Sequence, residues 1–309
     1  MEKKERKQKS NFDGLALSIL SMVPDGAIKG IVQISHGMSE HKERYLGFME
    51  FLAQNGYASV IHDHRGHGES VKSKDDFGYF YDTKAEGIVE DLKQITDEIR
   101  KQYPDKPIIL FGHSMGSMVV RKYIKKYNDG IDQLIVCGSP SRNRLVGLAI
   151  GLVKFQTLWK GGHYRSQWIQ NLIFSSNPHD KSKLSSPNDW ICSDEKTVEQ
   201  YESCEKCGFL FTLNGFQNLF TLLKEIYSRK GWEGKNKDLP IFFIAGADDP
   251  IILSKQAWLD SQEFLRNRGY PNIQNKLYPN MRHEILNENG KEQVYQDILD
   301  WMEKNQMKK

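Results

Sequence analysis

Ser114 lies within Gly112-His113-Ser114-Met115-Gly116, the stretch of this 309-residue chain best arranged for covalent chemistry. Serine is a weak nucleophile at neutral pH. It needs a base within hydrogen-bond reach and a further group to orient that base. Ile108-Ile109-Leu110-Phe111 precedes the motif and reads as a buried parallel strand, and Met118–Ile124 follows as a helix with an apolar face. Strand, sharp turn and helix are the context that a nucleophile elbow requires. In so tight a turn neighbouring side chains would clash, so Gly112 and Gly116 are the residues that fit. Ser114 is then held proud of the sheet edge. The backbone N–H of Met115 opens a helix there and supplies positive potential where an oxyanion would form.

In such a sheet the partners follow in the order serine, then aspartate or glutamate, then histidine, each after the carboxyl end of a strand. His163, His179 and His283 lie downstream of Ser114. The first two fall in a stretch without strand patterns. His283 comes just after the last strand, in Leu277-Tyr278-Pro279-Asn280-Met281-Arg282-His283-Glu284, where the base belongs. The acid is expected after the preceding core strand, in Gly246-Ala247-Asp248-Asp249-Pro250. Both aspartates are candidates. The residue before a proline is biased toward an extended backbone, which slightly favours Asp249. A second oxyanion donor is expected from His36-Gly37-Met38, as the backbone N–H of Met38.

Two other clusters invite a metal reading. Asp63-His64-Arg65-Gly66-His67-Gly68 has suitable side chains, but no further residues complete a site, and a hydrogen-bonded structural loop beside the oxyanion loop is the better reading. Cys204-Glu205-Lys206-Cys207 has ligand spacing, but no second Cys or His pair accompanies it at zinc-site spacing. With Cys137 and Cys192, these read as ordinary thiols of a reducing compartment. No metal and no cofactor is therefore expected.

Regular elements must hold these groups. Lys29–Ser35, Tyr57–Ile61, Ile108–Phe111, Gln133–Cys137, Pro240–Ala245 and Ile273–Tyr278 read as strands. Arg44–Asn55, Thr83–Gln102, Trp258–Arg268 and Glu292–Glu303 read as helices between or after them. Phe12–Val23 alternates weakly, as an outer strand or hairpin would. This alternation predicts a mostly parallel sheet covered on both faces. It breaks between residues 141 and 236, where helical segments (Leu145–Phe155, Phe216–Tyr227) flank a polar loop, Ser175–Asp189. The reading is a core of residues 1–140 and 237–309 with a helical cap, 141–236, inserted. Residues 1–10 are expected to be a disordered tail, with a second small basic tail at Lys308 and Lys309.

The net charge of +3 does not point to nucleic acid. No apolar run reaches the ~18 residues of a membrane span, and the charged N-terminus lacks the apolar stretch of a signal peptide, so a cytoplasmic location is expected.

His36-Gly37-Met38-Ser39-Glu40-His41, Asp63 through Ser70, Gly112 through Gly116, Gly246 through Pro250, and Tyr278-Pro279 with Arg282-His283-Glu284 resemble the monoglyceride lipase and lysophospholipase (serine aminopeptidase-like) branch of the α/β-hydrolases. The resemblance implies an α/β-hydrolase fold with an inserted cap. It also implies a Ser114, Asp249 and His283 triad, an oxyanion hole from Met38 and Met115, and hydrolysis of a small lipid ester through an acyl-enzyme. It selects Asp249, the third residue after Gly246, over Asp248. In the cap, Leu145, Leu148, Leu152, Phe216 and Phe220 are candidates for an acyl-chain pocket. The apolar Leu145–Phe155 run, with Arg142 and Arg144 beside it and Lys154 near its end, suggests peripheral membrane contact. The rival readings are carboxylesterase, thioesterase or peptidase activity, acyl transfer to an alcohol, and a catalytically silent scaffold.

Overall fold

The computed structural model describes residues 1–174 and 186–306. His179, most of the polar loop, and Lys308 and Lys309 lie outside the described residues.

Apolar runs with β-branched residues form the central strands. β3 (Gly30–Ser35), β4 (Tyr57–His62), β5 (Ile108–His113), β6 (Gln133–Cys137) and β7 (Ile241–Gly246) are almost entirely buried. β8 (Ile273–Tyr278) closes one edge. With β1 (Glu2–Lys9) and β2 (Ala16–Val23), the eight strands run in the order β1-β2-β4-β3-β5-β6-β7-β8. All pairs from β4 to β8 are parallel, while β1 with β2 and β2 with β4 are antiparallel.

The period of two sends alternate side chains to opposite faces. Ile108 and Leu110 of β5 enter one core with Leu134 and Val136 of β6, whereas Ile109 and Phe111 enter the other with Ile135 and Cys137. The first core is covered by α2 (Gly87–Gln102), α3 (Met115–Tyr127) and α8 (Lys255–Arg266), through Leu92, Val119 and Trp258 among others. The second is covered by α1 (Leu46–Gln54) and α9 (Lys291–Gln306), through Phe48, Ile298 and Met302.

Between β6 and β7 the described residues carry α4 (Val146–Lys160), α5 (Gln167–Phe174), α6 (Glu195–Ser203) and α7 (Leu213–Ile226). One isolated bridge, Arg165 to Thr212, is the β pairing among them. Side-chain caps start α6 and α7: Asp194 accepts from the Thr197 N–H and Thr212 from that of Gly215.

The expected N-terminal tail is instead strand β1 (Glu2–Lys9), paired in full register with β2 (Ala16–Val23) from Glu2 opposite Val23 to Lys9 opposite Ala16. Its side chains are almost all exposed, so no apolar alternation marks it as a strand. Charged residues suit it to a sheet edge, where they discourage pairing with another chain.

Candidate active site

Parallel strands present their carboxyl ends along one edge of the sheet, and four of the loops leaving that edge meet. β5 ends at His113, and Ser114 follows as the N-cap of α3 with φ +52° and ψ −117°. This positive φ for a non-glycine residue is the strained geometry of a nucleophile elbow. The close approach predicted at the glycines is present. A Cβ on Gly116 would lie 2.0 Å from the Ser35 carbonyl oxygen, and one on Gly112 would lie 2.5 Å from that of Gly116.

Asp249 follows β7 in an extended conformation (φ −73°, ψ 114°) and caps the short 3-10 turn Pro250–Ile252. One carboxylate oxygen, Oδ1, accepts from the Ile251 N–H at 2.9 Å; the other, Oδ2, accepts from His283 Nδ1 at 2.9 Å. Both oxygens are thus held, and the carboxylate is buried. Asp248 is exposed. His283 comes from the loop after β8 and is 3 % exposed. His163 lies elsewhere, exposed, stacked on Tyr79 and 3.2 Å from an Asp76 oxygen.

Ser114, His283, Met38 and Met115 all line one cavity of about 660 Å³. Phe209, Leu219, Phe220 and Leu223 from the inserted segment give it apolar walls. Of the acyl-pocket candidates only Phe220 is in that wall. Leu145, just before α4, and Leu148 and Leu152 on it are exposed, and Phe216 is sealed in the core. The reason lies in the helix. α4 is apolar around most of its circumference, so sequence does not reveal its buried face. Val146, Ala149, Ile150 and Val153, at i, i+3, i+4 and i+7, take that role.

A charged network under the site went unread in the sequence. Glu40 Oε1 accepts from the Gly37 N–H, from Tyr45 at 2.9 Å and from His113 Nδ1 at 3.4 Å. Its other oxygen accepts from Arg44 at 3.1 Å, and Arg44 also forks onto Glu284, with Nη2 to Oε2 at 2.7 Å. His113 Nε2 donates to the His283 carbonyl at 3.2 Å. The loop after β3, the β5–α3 turn and the His283 loop are therefore joined by one set of buried partners. Burial alone would lower the His113 pKa, but the Glu40 carboxylate outweighs it and holds the imidazole above its usual range. Burial would likewise raise Glu40, yet His113 and Arg44 hold it well below the usual carboxylate range. Glu40, His113 and Glu284 all sit inside the resembling motifs. Only their charge complementarity hinted at a joint role.

The Asp63–Gly68 loop is held by buried hydrogen bonds and ion pairs. Asp63 accepts from the Lys42 N–H, Lys42 Nζ and the Glu69 N–H at 2.8, 3.0 and 2.8 Å. Arg65 pairs with Asp91 and Asp13, each at 2.9 Å. His36 Nε2 accepts from the His64 N–H at 2.9 Å. Burial pushes His62 and His67 each down to about 3, keeping both rings neutral.

A largely parallel sheet with helices on both faces and a serine elbow at its carboxyl edge define an α/β-hydrolase. More narrowly, the chain belongs to the family described as Serine aminopeptidase, S33, which it matches over residues 26–290. It is 35% identical over 154 residues to monoglyceride lipase of Mus musculus, a match covering 47% of this chain and 48% of that one. It is 25% identical over 320 residues to monoglyceride lipase of Saccharomyces cerevisiae, covering 96% and 93%. The structure of a thermostable carboxyl esterase from Bacillus coagulans superposes with a TM-score of 0.89 at 26% identity, covering 98% of both chains. The chain spans about half or less of the length of the mammalian relatives it matches. These relatives bear out the resemblance to the monoglyceride lipase-like branch.

Proposed function

We propose that this protein is a serine hydrolase of carboxylic esters, acting on monoacylglycerols or lysophospholipids through Ser114, His283 and Asp249. The observation that carries the reading is the buried contact from His283 Nδ1 to Asp249 Oδ2, 2.9 Å, beside a cavity that Ser114 also lines. A His283 ring that donates through Nδ1 keeps Nε2 as the acceptor a serine hydroxyl needs. Ser114 attacks the ester carbonyl while His283 takes its proton. The tetrahedral oxyanion is met by the backbone N–H groups of Met38 and Met115. Collapse breaks the ester bond, and His283 returns the proton to the leaving alcohol. Water, deprotonated by His283, then releases the fatty acid and restores Ser114.

The apolar wall of Phe209, Leu219, Phe220 and Leu223 supports an acyl chain as the bound portion, and the cavity volume lies within the usual ligand range of ~300–1,000 Å³. The similarity to lipases and to a carboxyl esterase supports an ester rather than an amide substrate. Residues 141–236 form the cap over the site in this reading. The exposed apolar side chains of α4, among them Leu148, Leu158 and Trp159, rest on an anionic bilayer surface, with Arg142, Arg144 and Lys154 beside them.

Labelling with a fluorophosphonate probe, mapped by mass spectrometry, tests the nucleophile. Modification at Ser114 in wild type, lost in Ser114→Ala and strongly slowed in His283→Ala, is expected. A folded wild-type protein that resists the probe and hydrolyses neither monoacylglycerol nor lysophospholipid would overturn the proposal and favour a silent scaffold.

A further inference from the structure

The Cys204 and Cys207 pair has one neighbour that linear spacing hides. His41 lies 163 residues upstream, yet its Nε2 is 3.4 Å from Cys204 Sγ. The three potential ligand atoms, from His41, Cys204 and Cys207, all lie within 4.8 Å of one another. We propose that His41, Cys204 and Cys207 form a zinc(II) site that ties the turn after α6 to the oxyanion loop.

The distances suit that ion. A tetrahedral zinc with bonds of ~2.3 Å to sulfur and ~2.05 Å to nitrogen places N and S about 3.6 Å apart and two sulfurs about 3.8 Å apart. The turn is shaped to converge its thiols. The Cys207 N–H donates to the Cys204 carbonyl at 2.9 Å. Gly208 leaves the turn at φ +65°, a conformation that favours glycine. Its N–H then donates to the Ser39 carbonyl at 2.9 Å, and Ser39 Oγ donates to the Phe209 carbonyl at 2.8 Å.

The histidine is prepared as well. Glu43 bonds His41 Nδ1, so the Nε2 lone pair is the one left to face the thiols. A carboxylate behind a ligating imidazole is the usual outer partner of zinc histidines. Two thiolates and a neutral imidazole give a charge-neutral complex with Zn(II). Binding releases the two thiol protons to solvent, and a water completes the fourth position. His41 follows Met38 by three residues and Cys207 precedes Phe209 by two, and both Met38 and Phe209 line the cavity. Zinc here acts as a clamp, three residues from the proposed oxyanion donor.

The test uses the full chain, reduced and stripped of metal with chelator, and reads metal rather than ester hydrolysis. Titration with cobalt(II) is expected to give the thiolate charge-transfer and tetrahedral d–d bands at one equivalent, with zinc displacing the cobalt. Glu43→Gln is expected to weaken zinc about 10-fold, and His41→Gln or Cys204→Ser at least about 100-fold. Zinc at about 100 times its Kd should raise the wild-type Tm by about 5 °C and leave Cys204→Ser/Cys207→Ser unmoved. Far-UV circular dichroism establishes that each variant is folded. Absence of cobalt bands in reduced wild type, binding that survives the double cysteine change, or affinity unaltered by His41→Gln would each overturn the site. A Cys204–Cys207 disulfide that forms in the presence of zinc would do the same.

Discussion

At residue 249 the carboxylate holds an imidazole with one oxygen and a backbone N–H with the other, while Asp248, one position away, faces solvent. Asp249→Asn is therefore expected to lower kcat by on the order of 10³–10⁴, because the amide favours the wrong imidazole tautomer, with KM little altered. Asp248→Asn should stay within about threefold of wild type on this reasoning. Steady-state kinetics on a short-chain monoacylglycerol separates the two. The Glu40 network makes a second prediction, on stability. Glu40 is held below its ordinary carboxylate range, so its contribution is present above ~4.3 and is lost as pH falls through the lower folded value. His113 is held above its ordinary range, so its contribution is full below ~6.5 and is lost as pH rises through the higher folded value. Both are present together from about pH 4.5 to 6.5. Glu40→Gln should therefore cost most in that window, roughly 3 kcal/mol, with the gap to wild type narrowing toward acid and toward alkali. Urea denaturation across pH checks it. A gap that does not vary with pH would mean the pair contributes no charge interaction.

At the scale of elements, the elbow joins β5 to α3 with so little room that its glycines were legible from the motif alone. β1 was not. A strand is recognised by an apolar face, and Glu2–Lys9 has none because it lies at the sheet edge with its side chains in water. Its pairing with β2 has a consequence. Removing residues 1–9 while keeping Ser10, which bonds Asp91, would bare the hydrogen-bonding edge of β2. The truncated chain is expected to lose about 4 °C in Tm and to self-associate through the new edge. Differential scanning fluorimetry and light scattering measure the two effects. Unchanged values would show that β1 adds nothing to the fold in solution. α4 shows the opposite limit. Its residues are apolar nearly all round, so the sequence announced a helix but not which side meets the core.

For the whole molecule, the inserted segment is tied to the carboxyl edge of the sheet at several places. The Glu284 N–H donates to the Ile191 carbonyl at 2.8 Å, the Trp190 ring sits 5.2 Å from that of His283, and Arg282 bonds the Cys192 carbonyl at 3.2 Å. The His283 loop and the inserted segment are therefore joined, while α4 leaves Leu148, Leu158 and Trp159 exposed. Among the described residues no helix is long and apolar enough to cross a membrane. The proposed contact is a surface one. Leu148→Glu with Trp159→Glu should reduce co-flotation with anionic vesicles about tenfold and leave hydrolysis of a dispersed short-chain ester near wild type. Wild type that fails to float, yet is fully active on dispersed monoacylglycerol, would refute membrane docking.

The order of strands and helices, the elbow, His283 after the final strand and the loop carrying Asp248 and Asp249 were legible in the sequence. Each is a local matter of periodicity, turn chemistry and position after a strand. Tertiary structure decided what depends on partners distant in the chain. It set Asp249, which the resemblance had already selected over Asp248, against His283, and joined Glu40, Arg44, His113 and Glu284 across 244 residues of chain. It placed Phe220 in the cavity wall and Leu148 in solvent, and brought His41 to Cys204. Sequence spacing reports neighbours along an element. The parallel sheet, by aligning the carboxyl ends of β3, β5, β7 and β8, chooses the neighbours across it.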